Sequence, residues 1–257
     1  MEILGIDVGG SGIKGAIVDT SRGELITERY RIPTPKPATP DTVIETIEVI
    51  INNFDWQGPV GCGFPAAVKN EIVKTASNID DSWIGVNASA RIEKKTGCPT
   101  HLVNDVDAAG FAEAEFGAGK NRLGTIFMAA FGTGIGTAVF HNQQLVPNTE
   151  LGHIPLNGMV AEDYAANSIR EKEGLSWETW GGRVNEYLQL IELLLWPDLI
   201  IIGGGVSKKF NEFLSQMEEV FDVIILDTPP FGIVSDSTAL LKRVQSTILV
   251  TKYRKTN

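Results

Sequence analysis

A glycine-rich turn occurs twice in this chain, and the second copy follows the first by 122 residues. Segment 10–18 matches segment 132–140 in its order of small and β-branched residues. Each copy follows one apolar run and continues into another, which predicts a strand, a turn and a strand. The repeat therefore predicts a duplicated core of two related domains. Because such turns expose backbone N–H groups that bind phosphate, two of them favour an enzyme that transfers a phosphoryl group.

The composition limits the classes of function. The chain has 257 residues, of which 43% are hydrophobic and 21% charged, as in ordinary globular proteins. Its net charge of −10 and its lack of a long basic run argue against a nucleic-acid surface. No apolar run reaches transmembrane length, so no membrane partner is expected. The first residues read as a strand and no CxxC pair is present, so we expect a cytoplasmic protein.

Turn and capping signals predict the order of elements. Strands are predicted at 3–8, 14–19, 24–31, 59–64, 100–103, 126–131, 199–202, 221–226 and 247–251, and helices at 41–53, 87–96, 105–116, 161–172, 176–195 and from 206. We expect Asp41 to cap the first helix and Gly97 to end the second. The predicted α/β organisation is an N-terminal domain over 1–104, a C-terminal domain over 105–214, and an atypical segment over 215–257.

The first glycine turn can be interpreted in three ways. Gly10, Gly12 and Gly15 have the spacing of the dinucleotide fingerprint, but that fold requires a helix after the turn, and the residues here favour a strand. A plain β-hairpin is the simplest alternative. Asp7 argues for a functional turn, because a carboxylate at a strand end beside a phosphate turn suits Mg²⁺ bound to phosphate. Lys14 would add a positive charge.

A polar pair, Asn104 and Asp105, stands where a strand is predicted to end and a helix to begin. Asn and Asp are common helix N-caps, and this is the simpler interpretation of the pair. A carboxylate at a strand end near phosphate turns is also a suitable base for a substrate hydroxyl. Phosphoryl transfer needs positioning, charge neutralisation and one such base.

A second polar group follows the second glycine turn. Glu150 and His153 are three residues apart beside a glycine, so together they could hydrogen-bond a polyol, although a lone histidine is often structural. Glu162 begins a predicted helix, where an acid also favours the helix dipole. No further Cys or His cluster supports a transition-metal site.

Taken together, these motifs resemble those of the ROK-family sugar kinases, and among them most closely the polyphosphate-dependent glucokinases. The resemblance covers roughly residues 1–214. It rests on segments 7–15, 63–65, 104–109, 131–136, 150–153 and 203–207, which occur in the family's order. It implies an actin-like fold of two duplicated domains with glucose in a central cleft, and a homodimer. Many ROK kinases carry a cysteine-rich zinc motif after the histidine. Segment 154–158 has no cysteine, so no zinc is expected.

The resemblance also implies roles for individual residues. Asp105 would be the base for the 6-hydroxyl of glucose. The sugar would be bound by Asn104, Glu150, His153, Glu162, Gly63 and Pro65. The phosphoryl donor, inorganic polyphosphate or ATP, would be bound with Mg²⁺ by Asp7, Gly9, Gly10, Ser11, Gly12, Lys14, Gly132, Thr133, Gly134, Gly136, Gly204 and Gly205. Asp7 would be the residue that contacts the metal.

The chain departs from the family pattern after residue 214. Segment 221–236 resembles the second nucleotide motif of capsular tyrosine kinases and partition-type ATPases, but no GxxxxGK[ST] loop precedes it. It is therefore interpreted as a foreign fragment, or alternatively as a diverged strand pair that completes the second domain. The sequence predicts a glucokinase that uses polyphosphate or ATP. The alternative is a degenerate sugar-binding protein whose turnover is impaired by this replaced segment.

Overall fold

The structure is a computed structural model that describes residues 1–77, 79–217, 223–226 and 250–251. The chain divides into two compact units, Met1–Ala109 and Gly110–Asn257, called here the first and the second unit. The boundary lies within a helix that begins at Asp105, and the domain limits read from the sequence stay a prediction. Among the described residues, no helix has both the length and the apolar character needed to cross a membrane.

The first unit is built on a six-stranded sheet with the strand order β3-β2-β1-β5-β8, in which β4 also pairs with β2. Strands β1 and β2 form an antiparallel hairpin, whereas β1, β5 and β8 run parallel. A separate small hairpin is formed by β6 and β7. The strands are β1 Glu2–Val8, β2 Ile13–Asp19, β3 Glu24–Leu25, β4 Tyr30–Ile32, β5 Val60–Phe64, β6 Val68–Lys69, β7 Ile72–Val73 and β8 Thr100–Asn104.

The alternation of buried and exposed residues along β1 shows which face of the sheet is apolar. Leu4, Ile6 and Val8 are buried on one face, whereas Asp7 is exposed on the other, as the two-residue period of a strand requires. Helices α1 (Pro40–Asn53) and α2 (Ala88–Thr96) cover the apolar face. The predicted end of α2 at Gly97 is confirmed, with Gly97 in the left-handed conformation.

Two predictions about the first unit were wrong in detail. Asp41 does not cap α1, because the helix begins one residue earlier at Pro40 with Thr39 in the capping position. The single strand predicted at 24–31 is two short strands, β3 and β4. Between them the Thr27 hydroxyl accepts a hydrogen bond from the Ile17 N–H of β2, so a side chain replaces the backbone ladder there.

The second unit repeats the arrangement of the first. Its sheet has the order β11-β10-β9-β14-β15-β16, with β9 and β10 as an antiparallel hairpin and with β9, β14 and β15 parallel. A small hairpin, β12 with β13, stands apart from it. The strands are β9 Thr125–Phe131, β10 Ile135–His141, β11 Gln144–Val146, β12 Pro155–Leu156, β13 Met159–Val160, β14 Leu199–Gly203, β15 Val223–Leu226 and β16 Val250–Thr251. The duplicated core predicted from the two glycine turns is confirmed by this repeat.

Four more α-helices follow among the described residues. Helix α3 (Asp105–Glu115) spans the boundary between the units, and α4 Ala161–Ala165, α5 Asn167–Glu173 and α6 Trp177–Leu195 belong to the second unit. The single helix predicted at 161–172 is interrupted at Ala166, whose backbone is extended. The buried Trp180 indole donates to the Ala165 and Ala166 carbonyl oxygens at 2.9 and 3.3 Å, which removes acceptors that a continuous helix would use. The helix predicted to start at 206 is a 3₁₀-helix over Gly205–Glu212.

The described part of the C-terminal segment extends the second sheet. Strand β15 lies parallel to β14, with Ile200 opposite Ile224, and β16 pairs antiparallel with β15. The predicted strand at 221–226 therefore matches β15, whereas most of the strand predicted at 247–251 lies outside the described residues. This pairing corresponds to the alternative in which the tail completes the second domain.

Candidate active site

The carboxyl ends of three parallel strands bring together the predicted residues of the first unit. Strands β1, β5 and β8 end at the same edge of the sheet, which is where α/β proteins commonly bind ligands. Asp7 pairs in register with Gly63, and Phe64 pairs with Asn104. Asp7, Gly63 and Asn104 are thus neighbours along one edge, although they are far apart in the sequence.

The first glycine turn closes at this edge between β1 and β2. The Gly9 N–H donates to the Gly12 carbonyl at 3.2 Å, and the Gly10 and Ser11 tip is exposed. An added Cβ at position 12 would lie 2.5 Å from Nε of Arg31, so a larger residue there would displace the Arg31 guanidinium. The turn is therefore a compact loop whose tip can present backbone N–H groups to an anion.

Basic side chains line the strands next to this turn. Lys14 lies in register between Asp7 on β1 and Arg31 on β4, and its Nζ donates to Asp7 Oδ2 at 3.1 Å. Arg31 Nη2 donates to the Ser11 carbonyl at 2.7 Å. Partial burial lowers the pKa of the Arg29 guanidinium, while the charge of Asp7 acts in the opposite direction. The turn thus stands in a local basic patch (Lys14, Arg29 and Arg31) on an acidic protein.

Asn104 and Asp105 differ in their roles at the start of α3. The Asn104 Oδ1 accepts from the Val106 and Asp107 N–H groups at 2.9 and 3.0 Å, so Asn104 is the N-cap of α3. Its Nδ2 donates to the Ala66 carbonyl at 3.1 Å. Asp105 follows as the first helical residue, and its Oδ1 also accepts from the Val106 N–H at 2.9 Å. The capping interpretation fits Asn104, and the carboxylate of Asp105 is oriented by the helix start.

Gly63 of the 63–65 motif lies beside the start of α3. An added Cβ at Gly63 would lie 3.6 Å from Cα of Asp105, so β5 passes directly beside the start of α3. The chain then turns at half-buried Pro65, with the Ala66 N–H donating to the Phe64 carbonyl at 2.8 Å. Gly63 therefore adjoins Asp105, and Pro65 follows directly after the end of β5.

The second glycine turn joins β9 and β10 in the second unit. The Gly132 N–H donates to the Gly134 carbonyl at 3.0 Å, and Gly136 pairs with Ala130 in the hairpin that follows. Ser168 at the start of α5 holds the turn from outside: its N–H donates to the Gly132 carbonyl at 3.0 Å and its hydroxyl to the Thr133 carbonyl at 2.6 Å. Both turns therefore join the two strands of a hairpin, but the first is held by Arg31 and the second by Ser168.

Three predicted side chains of the second unit form one cluster. His153 Nε2 lies 3.2 Å from Glu162 Oε1, and His153 Nδ1 lies 3.7 Å from Glu150 Oε2. All three remain partly accessible, with Glu162 the most buried at 28% exposure. An imidazole between two carboxylates offers several acceptors and a donor within a few ångströms, an arrangement that suits vicinal hydroxyls.

Glu162 also contacts the second glycine turn. Its Oε2 accepts from the Ile135 N–H at 3.3 Å, and a Cβ added at Gly134 would overlap the same carboxylate. One side chain thus links the polar cluster to the second glycine turn. The sequence placed these two features 27 residues apart and gave no sign of this contact, because it arises only when α4 packs against the hairpin.

Gly204 and Gly205 follow β14 at the same sheet edge as the second turn. Strands β14 and β9 are parallel, with Gly203 opposite Ala130. Gly204 has φ +84°, and an added Cβ would lie 2.7 Å from the Phe131 carbonyl oxygen, so this position requires glycine. Gly205 begins the 3₁₀-helix with open space around it.

Supporting residues were missed by the sequence reasoning. Buried Thr137 on β10 accepts from the Leu151 N–H at 3.1 Å, and its hydroxyl donates to the Thr149 carbonyl. It therefore fixes the segment that carries Glu150. Thr137 belongs to the repeated glycine motif, and that repeat could have marked it as a candidate. No sequence pattern marked Ser168 or Arg31, because their hydrogen-bond partners are distant in sequence.

A metal at this site would depend on few protein ligands. Within 1–77, 79–217 and the two short tail strands, no group of three or more His, Cys, Asp or Glu residues could hold an ion. Asp7 nevertheless offers a half-exposed carboxylate at the phosphate turn. Mg²⁺ commonly binds through one or two carboxylates together with substrate phosphates and water, so Asp7 fits a metal that arrives with the donor.

Comparisons with known proteins identify the family of this chain. The ROK family model matches residues 3–174. A polyphosphate glucokinase of Mycobacterium tuberculosis (strain CDC 1551 / Oshkosh) is 47% identical over 222 residues, which cover 86% of this chain and 84% of the relative. The crystal structure of an inorganic polyphosphate/ATP-glucomannokinase from Arthrobacter sp. strain KM superposes with a TM-score of 0.85 at 38% identity, covering 94% of this chain and 99% of that one.

A more distant structure shares the fold. A ROK family glucokinase from Streptomyces griseus aligns with a TM-score of 0.75 at 20% identity, covering 88% of this chain and 94% of that one. The predicted actin-like fold with two duplicated sheets is thereby confirmed. Because the family model spans well over half of the residues and the Mycobacterium relative matches most of the chain, this protein belongs to the ROK family.

Proposed function

We propose that this protein is a glucokinase that transfers a phosphoryl group from inorganic polyphosphate, or from ATP, to the 6-hydroxyl of glucose. The observation that carries the proposal is the carboxyl edge of the first sheet, where a glycine turn preceded by Asp7 adjoins the helix-start carboxylate Asp105. A donor site and a base at one edge are the parts that phosphoryl transfer needs. The Mycobacterium relative named above supports this choice of reaction.

In the proposed mechanism Asp105 accepts the proton of the 6-hydroxyl as the oxygen attacks the terminal phosphorus. The bond to the bridging oxygen breaks, and the leaving group is a polyphosphate shortened by one unit, or ADP. Asn104 orients Asp105 by capping α3. When bound, Mg²⁺ would neutralise charge on the donor phosphates, with Asp7 as its protein ligand.

In the second unit, the residues proposed to hydrogen-bond sugar hydroxyls are Glu150, His153 and Glu162. In the first unit, the family resemblance assigns sugar binding to Asn104, Gly63 and Pro65, of which Gly63 lies beside Asp105. Backbone groups of the turns at 9–12 and 132–134 and of Gly204 and Gly205 would bind the donor. Glu162 supports this assignment, since it contacts both His153 and the second turn.

The basic patch favours a polyanionic donor. Lys14, Arg29 and Arg31 bring three cations to the first turn, although the chain carries a net charge of −10. An anion with many phosphates would gain more from such a patch than a single phosphate group would. The patch supports both polyphosphate and ATP as donors, and the assay described below ranks them. We further propose that the enzyme is cytoplasmic, as expected from its sequence, and a homodimer, as its resemblance to the family implies.

The C-terminal segment supports a second candidate, a sugar-binding protein with impaired turnover. Strand β15 lies beside β14, whose end carries Gly204 and Gly205 on the proposed donor side. A replaced neighbour strand would therefore disturb the donor site more than the sugar site. Under this alternative glucose binds, but little product forms.

The two candidates are separated by one pair of measurements. Production of glucose 6-phosphate is followed in a coupled assay with polyphosphate and ATP side by side, and glucose binding is followed by calorimetry. Turnover with either donor supports the kinase. Glucose binding without turnover supports the degenerate form, and absence of both overturns the proposed substrate.

A further inference from the structure

The hairpin formed by β12 and β13 lies directly between two of the proposed sugar ligands. His153 immediately precedes this hairpin and Glu162 follows it, and their side chains meet at 3.2 Å. Any movement of the hairpin would therefore change the position of one ligand relative to the other. The distances between the side chains of the polar cluster therefore depend on the contacts that hold this hairpin.

The hairpin has little stability of its own. Each strand has only two residues, and a two-stranded hairpin is at best marginally stable in water. Asn157 and Gly158 form its turn, with φ values of +51° and +81°. Its base is closed by the Ala161 N–H, which donates to the Ile154 carbonyl at 2.9 Å. The tip projects from that base and needs a separate support.

A single carboxylate on α6 supports the tip. Glu186 Oε2 accepts from Asn157 Nδ2 at 2.5 Å and from the Tyr164 hydroxyl at 3.1 Å. Asn157 is at the tip of the hairpin, whereas Tyr164 belongs to α4, the same short helix that carries Glu162. Glu186 therefore joins both sides of the segment that brings His153 to Glu162.

Tyr164 is itself fixed by a neighbour of Glu186 on the same helix. The Arg183 guanidinium lies 4.8 Å from the centre of the Tyr164 ring, and its Nη1 donates to the Tyr164 carbonyl at 3.1 Å. Helix α6 is a firm base, because Trp180, Val184 and Tyr187 are buried in the core of the second unit. Arg183 and Glu186 thus fix the hairpin and α4 relative to helix α6.

We propose that Glu186 is a positioning residue for glucose recognition, which holds the hairpin tip and α4 in the register that pairs His153 with Glu162. The effect on glucose rests on the proposed function, whereas the contacts of Glu186 with Asn157 and Tyr164 do not depend on it. Glu186 bonds to Asn157 and Tyr164, which are not predicted donor residues. The second glycine turn contacts Glu162 on α4 but is also held by Ser168, so loss of Glu186 should affect the sugar more than the donor. Misplacing binding groups by about 1 Å can cost up to about a hundredfold in activity.

The test compares three variants with a matched control. Glu186→Ala removes the shared acceptor, whereas Glu186→Gln keeps an oxygen that can accept both hydrogen bonds. Asn157→Gly removes only the tip donor, and glycine tolerates the left-handed backbone there. Gln189→Ala, at an exposed position on the same helix, is the control.

We expect Glu186→Ala to raise the KM for glucose roughly five- to thirtyfold, with the KM for polyphosphate changed by less than about twofold. Asn157→Gly should give a smaller rise of the same kind, and Glu186→Gln should restore the parent value to within about threefold. Hydrogen exchange of the amides at 156–160 should be faster in Glu186→Ala than in the parent or in Gln189→Ala.

Unchanged amide hydrogen exchange at 156–160 in Glu186→Ala would overturn the proposed role of Glu186. So would an equal rise in the KM for both substrates, or a Glu186→Gln variant that behaves like Glu186→Ala. If the parent protein does not phosphorylate glucose, the proposed function fails instead, and the exchange comparison still decides whether Glu186 holds the hairpin.

Discussion

Replacing Asp105 by Asn tests the proposed base most directly. The substitution removes a carboxylate that can accept a proton but keeps Oδ1, which accepts from the Val106 N–H at 2.9 Å. Loss of a general base costs roughly a hundredfold to ten-thousandfold in rate. We therefore expect glucose 6-phosphate formation to fall by that factor.

The structure predicts that the fold will tolerate this change. The N-cap of α3 is Asn104, which is untouched, and the substitution removes the first-turn charge of Asp105 while keeping its side-chain oxygen. Such a charge is worth about 0.3–1 kcal/mol, and in a chain of this size that corresponds to a melting temperature lowered by roughly 1–4 °C. A large loss of activity with a small loss of stability is the expected combination.

The assay pairs the coupled measurement of glucose 6-phosphate with calorimetry for glucose and a thermal melt. Asp41→Asn is the control, because Asp41 is likewise a first-turn acid of a helix in the first unit, where it pairs with Arg91 at 2.5 Å. This control should lose a comparable amount of stability and keep its activity. If Asp105→Asn retains activity within a few-fold of the parent, Asp105 is not the base.

Three further predictions address the sugar, the donor and the tail. Glu150→Gln and His153→Ala should each weaken glucose binding measured by calorimetry roughly tenfold or more with donor binding largely kept, since a site built for hydroxyls loses much when a partner is removed; unchanged glucose affinity in both would refute the assignment. Arg29→Gln should raise the KM for polyphosphate roughly three- to tenfold and reduce its salt dependence, whereas the control Arg22→Gln, which loses an ion pair with the nearby strand end, should change neither. Replacing 215–257 with the closing segment of a polyphosphate glucokinase should raise turnover and soluble yield, and a chimera that gains neither would show that the tail is a competent native ending.

Local patterns were sufficient for the elements that depend on neighbours in the sequence. The two glycine turns and their flanking strands were predictable, because the strand period and the glycine requirement are local. The same holds for α2, where Asn87 caps the start and Gly97 the end. The motif order was specific enough to indicate the family and hence the fold.

Local patterns failed where a distant group intervened. The helix predicted at 161–172 breaks at Ala166 because the Trp180 indole takes its carbonyl and that of Ala165. The strand predicted at 24–31 is interrupted where Thr27 bonds to β2. Neither Trp180 nor β2 is visible in a short window of sequence, so propensity alone could not have found these breaks.

The sequence by itself determined which residue types are available at the candidate site and at which strand ends they stand. Tertiary structure alone decided how they act together: Glu162 reaches both His153 and the second glycine turn, Arg31 closes on Ser11, and Glu186 holds the hairpin between the sugar ligands. The physical reason is that strand ends and turns follow from steric preferences of a few consecutive residues. Contacts between side chains depend instead on strand register and helix packing, which the whole domain fixes at once.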